Sequence, residues 1–82
     1  MLKYTFSTIG IDGLTYYPKE FKYRDQDIDN AVGLLDFAWT MDIKEAMTWP
    51  EESMVETIAI EYYNTEIIEI TEDDYKVIKT ME

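Results

Sequence analysis

Apolar and polar residues alternate at the start of the chain, a pattern that predicts a β-strand with one buried face. In Met1–Ile9 one side carries Leu2, Tyr4, Phe6 and Thr8, and the other carries Lys3, Thr5, Ser7 and Ile9. Gly10–Gly13 follows as a turn, since both glycines can adopt positive φ. Leu14–Tyr17 then returns as a second strand, completing a predicted β-hairpin. Pro18 lacks an N–H donor and therefore ends this strand or places it at a sheet edge, with Phe21–Arg24 as a short further extension.

The next pattern has a helical period. Apolar residues at i, i+4, i+7 and i+11, with alanines beside them, form one stripe: Ile28, Val32, Leu35 and Trp39, with Ala31 and Ala38. Asp25 or Asp27 is a favourable N-cap, because carboxylates stabilise the positive end of a helix. Asp42 is expected to cap a further turn or two through Met47, and Trp49-Pro50 ends the helical run. The sequence therefore predicts a central amphipathic helix.

Met54–Thr71 is predicted to form a second hairpin around Tyr63-Asn64-Thr65. Burial of one face selects a loop of three or five residues, because this register separates apolar residues from glutamates. One face then carries Ile58, Ile60, Tyr62, Ile68 and Ile70, and the other carries mainly Thr57, Ala59, Glu61, Tyr63, Glu69 and Thr71.

The last segment has two possible structures. Thr71-Glu-Asp-Asp74 resembles a capping box, which predicts a short helix over Tyr75–Met81, and a final strand is the alternative. The predicted fold class is α+β: residues 1–82 form one small domain with two β-hairpins, a central amphipathic helix on one face of an antiparallel sheet, and a short C-terminal helix or strand.

Composition narrows the functional classes. Hydrophobic residues make up 46% of the chain and aromatic residues 15%, which predicts a folded rather than a disordered acidic protein. Cysteine and histidine are absent, so a thiol nucleophile, thiolate metal sites and the usual proton shuttle at neutral pH are excluded. We find no phosphate-binding loop or nucleophile elbow, and we expect a non-enzymatic protein without a cofactor. With no signal peptide or membrane-spanning run in the sequence, the expected location is the cytoplasm.

Charge is distributed unevenly along the chain. Residues 25–75 contain fifteen acids and one base, Lys44, whereas residues 1–24 contain four bases and two acids. The net charge of the whole chain is −11. Such a surface repels nucleic acid and anionic membranes, and it attracts basic proteins. The expected partner is therefore a basic protein.

One acidic segment also resembles a metal-binding loop. Asp25, Asp27 and Asp29 alternate as oxygen ligands would, Val32 occupies the hydrophobic position, and Asp36 closes a span of twelve residues. This segment is similar to the calcium loop of EF-hand proteins, which implies a cation site at these four aspartates. It departs from that pattern because Asn30 replaces the turn glycine and Asp36 replaces the glutamate. The alternative is the acid-rich start of the predicted helix.

Partner-binding residues are predicted mainly from the acids. The expected acidic surface consists of Asp25, Asp27, Asp29, Asp36, Asp42, Glu51, Glu52, Glu61, Glu66, Glu69, Glu72, Asp73 and Asp74. Tyr63 and Tyr23 are candidate aromatic anchors, since aromatic residues carry much of the energy of protein interfaces. Tyr4, Tyr62 and Trp39 are expected in the core or half-buried.

Three interpretations of the acidity compete. In the first, the protein mimics nucleic acid and occupies the basic groove of a DNA-processing or host defence protein. In type it resembles the small acidic phage or plasmid inhibitors of restriction enzymes and CRISPR nucleases, which would place it in the bacterial host cytoplasm. In the second, it is an accessory interaction module that binds a basic partner without mimicry. In the third, the acidity confers only solubility. Monomer and homodimer both remain open.

Overall fold

The strands of the structure form one antiparallel sheet. In the computed structural model, which describes residues 2–23 and 35–81, the strands are β1 (Lys3–Ile9), β2 (Thr15–Tyr23), β3 (Leu35–Thr40), β4 (Thr65–Ile70) and β5 (Tyr75–Met81). Their order across the sheet is β3-β2-β1-β4-β5. The described residues also contain one α-helix, α1 (Glu52–Ala59), and a 3₁₀-helix (Ile43–Glu45). The predicted α+β class is confirmed at this level, whereas several of the predicted elements differ.

The first hairpin is confirmed. Thr8 pairs with Tyr16 and Ile9 with Thr15 across the turn between β1 and β2. Gly13 has φ +81°, a conformation that glycine adopts without the steric penalty of a side chain. The local pattern of alternation, glycine turn and alternation is therefore sufficient to specify this unit.

Beyond the turn, β1 and β2 separate, and residues 47–49 lie between them. The Met47 N–H donates to the Pro18 carbonyl over 2.8 Å, and Tyr4 and Trp49 exchange two backbone hydrogen bonds of 2.8 and 2.9 Å. Pro18 lies inside β2, next to a register shift between Pro18 and Glu20, and not at the strand end. The register of the β2–β3 pairing shifts at this proline, which is typical of the irregular positions where a sheet tolerates proline.

The predicted central helix is wrong where the structure describes it. Residues 35–40 form β3, with Phe37 paired to Phe21 and Trp39 paired to Pro18. The helical spacing of Leu35 and Trp39 omits Phe37, which is buried in the core. Aromatic side chains at alternate positions favour a strand here. The start of that predicted helix lies outside the described residues.

The first half of the predicted second hairpin is also wrong, because residues 52–59 form α1. Val55 and Ala59 are buried four residues apart on one side of the helix, whereas Ile60 is 71% exposed. Val55, Ile58 and Ala59 form an i, i+3, i+4 stripe that packs on the sheet. The alternation of Ile58, Ile60 and Tyr62 mimicked a strand over the same residues.

The second half, β4, is a strand as predicted, but it pairs with β1 and β5. Phe6 lies opposite Ile67, which places Ile67 on the face covered by α1 and Ile68 on the opposite face. Ile68 and Ile70 therefore both lie on the face of the sheet away from Phe6. This position is contrary to the predicted register, which placed them on the same face as Ile58 and Tyr62.

The C-terminal segment forms β5, so the predicted helix is wrong and its alternative, a strand, is confirmed. Thr71 and Asp74 exchange backbone hydrogen bonds of 3.0 and 3.3 Å, which close the turn between β4 and β5. The acidic capping pattern therefore belongs to a hairpin turn. Lys79 of β5 donates to Glu56 of α1 over 2.6 Å and ties this edge strand to the helix.

Aromatic rings fill the core between α1 and the sheet. Phe6 is completely buried, and four rings surround it with centroids 5.6 to 6.1 Å away: Tyr62, Phe37, Trp39 and Trp49. Tyr4, Tyr62 and Trp39 are half-buried against this cluster, as predicted. Within residues 2–23 and 35–81, helical segments are too short and too polar to cross a membrane.

Candidate functional site

Strand register brings several acidic segments to one end of the sheet. Trp49, Tyr4, Glu69 and Lys76 form one row across neighbouring strands, through the Tyr4–Trp49 bridge and the β1–β4 and β4–β5 pairings. Because Trp49 runs antiparallel to β1, the residues after it continue toward the start of β1. The turn after β4 lies at this same end.

We call this surface the acidic end, and it is composed of Glu51, Glu52, Glu69, Glu72, Asp73 and Asp74. Two lysines, Lys3 and Lys76, lie on the strands beside it. Six carboxylates against these two lysines leave a net charge of −4, and Glu52 also interacts electrostatically with Lys79, the partner of Glu56. The ion pairs found among the described residues, Lys19–Glu45 and Lys79–Glu56, use none of these six acids.

The fold, rather than sequence adjacency, creates this cluster. Glu51 and Glu52 begin α1, whereas the four other acids lie about twenty residues later on β4 and its turn. Glu51, Glu72, Asp73 and Asp74 are exposed, and Glu52 and Glu69 are half-buried. Solvent therefore reaches every carboxylate of the acidic end.

Other predicted site residues lie elsewhere. Asp42 caps the 3₁₀-helix by accepting from the Lys44 N–H over 2.9 Å, and Glu66 lies opposite Ser7 on the sheet. Glu61 follows α1 and does not share a strand face with Glu69, contrary to prediction. Asp36 is on β3 opposite Lys22, and Tyr23 ends β2.

The calcium-loop residues Asp25, Asp27 and Asp29 lie outside the described residues. In EF-hand proteins a helix follows the loop, but here Leu35–Thr40 is a strand. Within the described part of the chain, acids do not group in threes in a way that could hold a metal ion. The cation site at the four aspartates stays a prediction.

An apolar groove lies at the opposite end of the sheet. Its volume is about 510 Å³, and it is lined by Thr8, Ile9, Gly10, Ile11, Asp12, Tyr16, Trp39, Glu61, Tyr62 and Tyr63. The β1–β2 turn forms one side, and the segment after α1 forms the other. The Thr8 hydroxyl donates to the Tyr63 carbonyl over 2.7 Å and links the two sides.

Asp12 is the most constrained carboxylate of this groove. The Tyr16 hydroxyl donates to Asp12 Oδ2 over 2.5 Å, and the Leu14 N–H donates to Asp12 Oδ1 over 3.0 Å. These hydrogen bonds lower the pKa of Asp12 below its ordinary value of 3.8, and the bond from Tyr16 has the largest effect. The same contact raises the pKa of Tyr16 above 10.0. Asp12 is therefore ionised and oriented at neutral pH.

Tyr16→Phe is expected to raise the pKa of Asp12 toward 3.8, because the variant loses the donor that contributes most to the lowered value. In the unsubstituted protein this hydrogen bond stabilises the fold above the unfolded pKa of Asp12, and its contribution disappears as the pH falls through the lowered folded pKa. Carboxyl carbon NMR shifts recorded from pH 2 to 6 measure the change. Tyr17→Phe is the matched control, and an Asp12 pKa that is equal in all three proteins would contradict the assignment.

The groove was not predicted from the sequence. Tyr63, a predicted aromatic anchor, is 82% exposed at the groove. Ile11 is the sequence feature that indicates an apolar surface here, because an isoleucine in the turn between Gly10 and Gly13 is not buried by its own hairpin. Assembly of the groove depends on contact between segments more than fifty residues apart, which local patterns do not report.

Known proteins provide no further guide to either surface. No family model, no curated protein and no solved structure matches this chain.

Proposed function

We propose that the protein is a small acidic, non-catalytic binding protein that occupies the nucleic-acid-binding surface of a basic partner. The observation that carries this proposal is the acidic end: six carboxylates from two distant segments, accessible to solvent and unpaired within the described residues. The partner is then a DNA-processing or host defence protein, and binding inhibits it as an anti-restriction or anti-CRISPR protein of a phage would.

A folded framework makes this use of charge effective. Glu69 lies within the β-sheet, and Glu72, Asp73 and Asp74 lie in a closed two-strand turn. Charges held in place lose less conformational freedom on binding than charges on a flexible tail. A concentrated negative field also accelerates encounter with a positive groove. The partner would exchange its contacts with phosphates for contacts with these carboxylates.

A second candidate is an interaction module that does not mimic nucleic acid. The apolar groove favours it, because a concave, mostly apolar surface with a few polar groups is typical of binding sites. In this alternative the partner's affinity depends on the groove, and the acidic end only enhances association.

The test begins with capture of the partner from bacterial lysate, with and without nuclease treatment, followed by identification through mass spectrometry. Affinity for the captured protein is then measured between about 50 and 200 mM salt, with DNA as competitor. Mimicry predicts a steep loss of affinity with salt and displacement by DNA. An affinity that is flat over this range, or unaffected by saturating DNA, would refute it.

Charge neutralisation localises the effect. We expect a triple variant, Glu72→Gln, Asp73→Asn and Asp74→Asn, to weaken binding by about tenfold, since each exposed charge pair contributes about 0.2–1 kcal/mol. The matched control, Glu20→Gln, Glu45→Gln and Glu66→Gln, makes the same change in net charge at other positions. Equal losses in both variants would indicate that net charge, and not the acidic end, determines affinity. Unchanged thermal unfolding shows that both variants remain folded.

A further inference from the structure

The apolar groove combines aromatic side chains with carboxylates, and among residues 2–23 and 35–81 no basic side chain lines it. Tyr16, Trp39, Tyr62 and Tyr63 supply the rings, and Asp12 and Glu61 supply the charges. Two negative charges beside aromatic rings form an environment that attracts cations, because ring faces carry partial negative charge.

The aromatic wall is attached to the core. Trp39 and Tyr62 meet edge to face, with centroids 5.2 Å apart and planes at 80°. Tyr62 also stacks on Phe6, which is fully buried. Two rings at right angles, supported from behind, maintain the shape of the groove without a ligand.

The carboxylates occupy defined positions beside this wall. Asp12 is oriented by the Tyr16 hydroxyl and the Leu14 N–H, and each of its oxygens retains capacity for another donor. Glu61 is exposed and makes no ion pair with any other residue in 2–23 or 35–81. A ligand that brings positive charge would therefore find one fixed and one adjustable acceptor.

We propose that this groove binds an arginine side chain, together with an adjacent apolar residue, from the basic partner protein. The inference rests on the proposed function for the basic character of the partner, and it assigns the groove a role separate from that of the acidic end. A guanidinium group suits the site because its flat face stacks on aromatic rings while its edge donates to carboxylates. The arginine stem and its apolar neighbour cover the isoleucines of the turn.

Charge and size select against other occupants. An acidic segment would bring like charge to Asp12 and Glu61, and a purely apolar segment would cover both carboxylates without replacing their hydration. The groove volume of about 510 Å³ is within the range of sites for small ligands, about 300–1,000 Å³. It therefore accommodates one long side chain and part of its neighbour.

The direct test is a titration of the whole protein with a short peptide, acetyl-Leu-Arg-Leu-amide. Binding is measured through the chemical shifts of the backbone amides in NMR spectra. We expect saturable shifts at residues 8–12 and 61–63, and about tenfold weaker binding of the same peptide with citrulline, which retains the shape of arginine without its charge. Equal binding of the citrulline peptide, shifts confined to Glu72–Asp74, or no saturable shift at the solubility limit of the peptide would each overturn the proposal.

Variants then test the named groups. Tyr63→Ala and Asp12→Asn are each expected to weaken binding of the peptide at least several-fold. Tyr75 is an exposed tyrosine on β5, and Tyr75→Ala is expected to leave binding unchanged. Glu61→Gln tests whether the charge of the second carboxylate contributes to binding of the peptide. Thermal unfolding of each variant separates loss of binding from loss of structure, and Tyr63→Phe retains the ring if Tyr63→Ala does not fold. Unweakened binding by folded Tyr63→Ala and Asp12→Asn variants would also overturn the assignment.

The outcomes separate this inference from the proposed function. A groove that binds the arginine peptide in a protein whose partner affinity is flat with salt would support the groove assignment and refute mimicry. Steep salt dependence with no arginine binding at the groove would support mimicry and refute the groove assignment.

Discussion

Phe6→Ala is expected to reduce the free energy of unfolding by about 3–5 kcal/mol, the usual cost of truncating a buried aromatic ring. Phe6 is 0% exposed and contacts the rings of Tyr62, Phe37 and Trp49. A domain of this length has a total stability of about 4–12 kcal/mol, at 0.05–0.15 kcal/mol per residue. The substitution therefore removes a large part of the stability of the domain.

Urea unfolding, followed by fluorescence of the two tryptophans, measures the loss. Phe6→Leu is expected to lose less, since it retains most of the apolar volume. Ile11→Ala is the surface control, because Ile11 is fully exposed and its truncation is expected to change stability by no more than about 0.5 kcal/mol. A loss below about 1 kcal/mol for Phe6→Ala would contradict the central position of this ring.

The β1–β2 hairpin was predictable because its determinants are local. Alternation on both sides of Gly10–Gly13 specifies two strands, and the glycine at positive φ specifies the turn. The residues of α1 were ambiguous for the opposite reason. Ile58, Ile60 and Tyr62 fit a strand, while Val55, Ile58 and Ala59 fit a helix, and packing against β1 and β4 selects the helix.

The acids of the proposed binding surface are evident in the sequence, but their grouping is not. The sequence shows that Glu51, Glu52 and Glu72–Asp74 are acidic, whereas their common position depends on the Tyr4–Trp49 bridge and the β1–β4 register. Both pairings are non-local. Glu61 of the predicted surface lines the apolar groove, away from the acidic end.

Thr5→Val and Thr65→Val are each expected to raise the free energy of unfolding by about 1–3 kcal/mol, the penalty for burying a hydroxyl without a hydrogen bond. Thr5 is 0% exposed and Thr65 1%, and neither hydroxyl has a partner within the described residues. Valine has nearly the same shape and favours strands. The two residues point to opposite faces of the sheet, so their effects are expected to add.

Thr8→Val provides the matched control, because it makes the same chemical change at a hydroxyl that has a partner. Thr8 donates to the Tyr63 carbonyl, so this variant is expected to lose about 0.5–1.5 kcal/mol, the net value of one hydrogen bond. The midpoints of urea unfolding give the relative stabilities of the three variants directly, provided that the dependence of the unfolding free energy on urea concentration is the same in each. Opposite signs for Thr8→Val and the other two would establish that satisfaction of the hydroxyl, and not strand preference, determines the effect. Destabilisation by Thr5→Val or Thr65→Val would show that its hydroxyl makes a stabilising contact in solution.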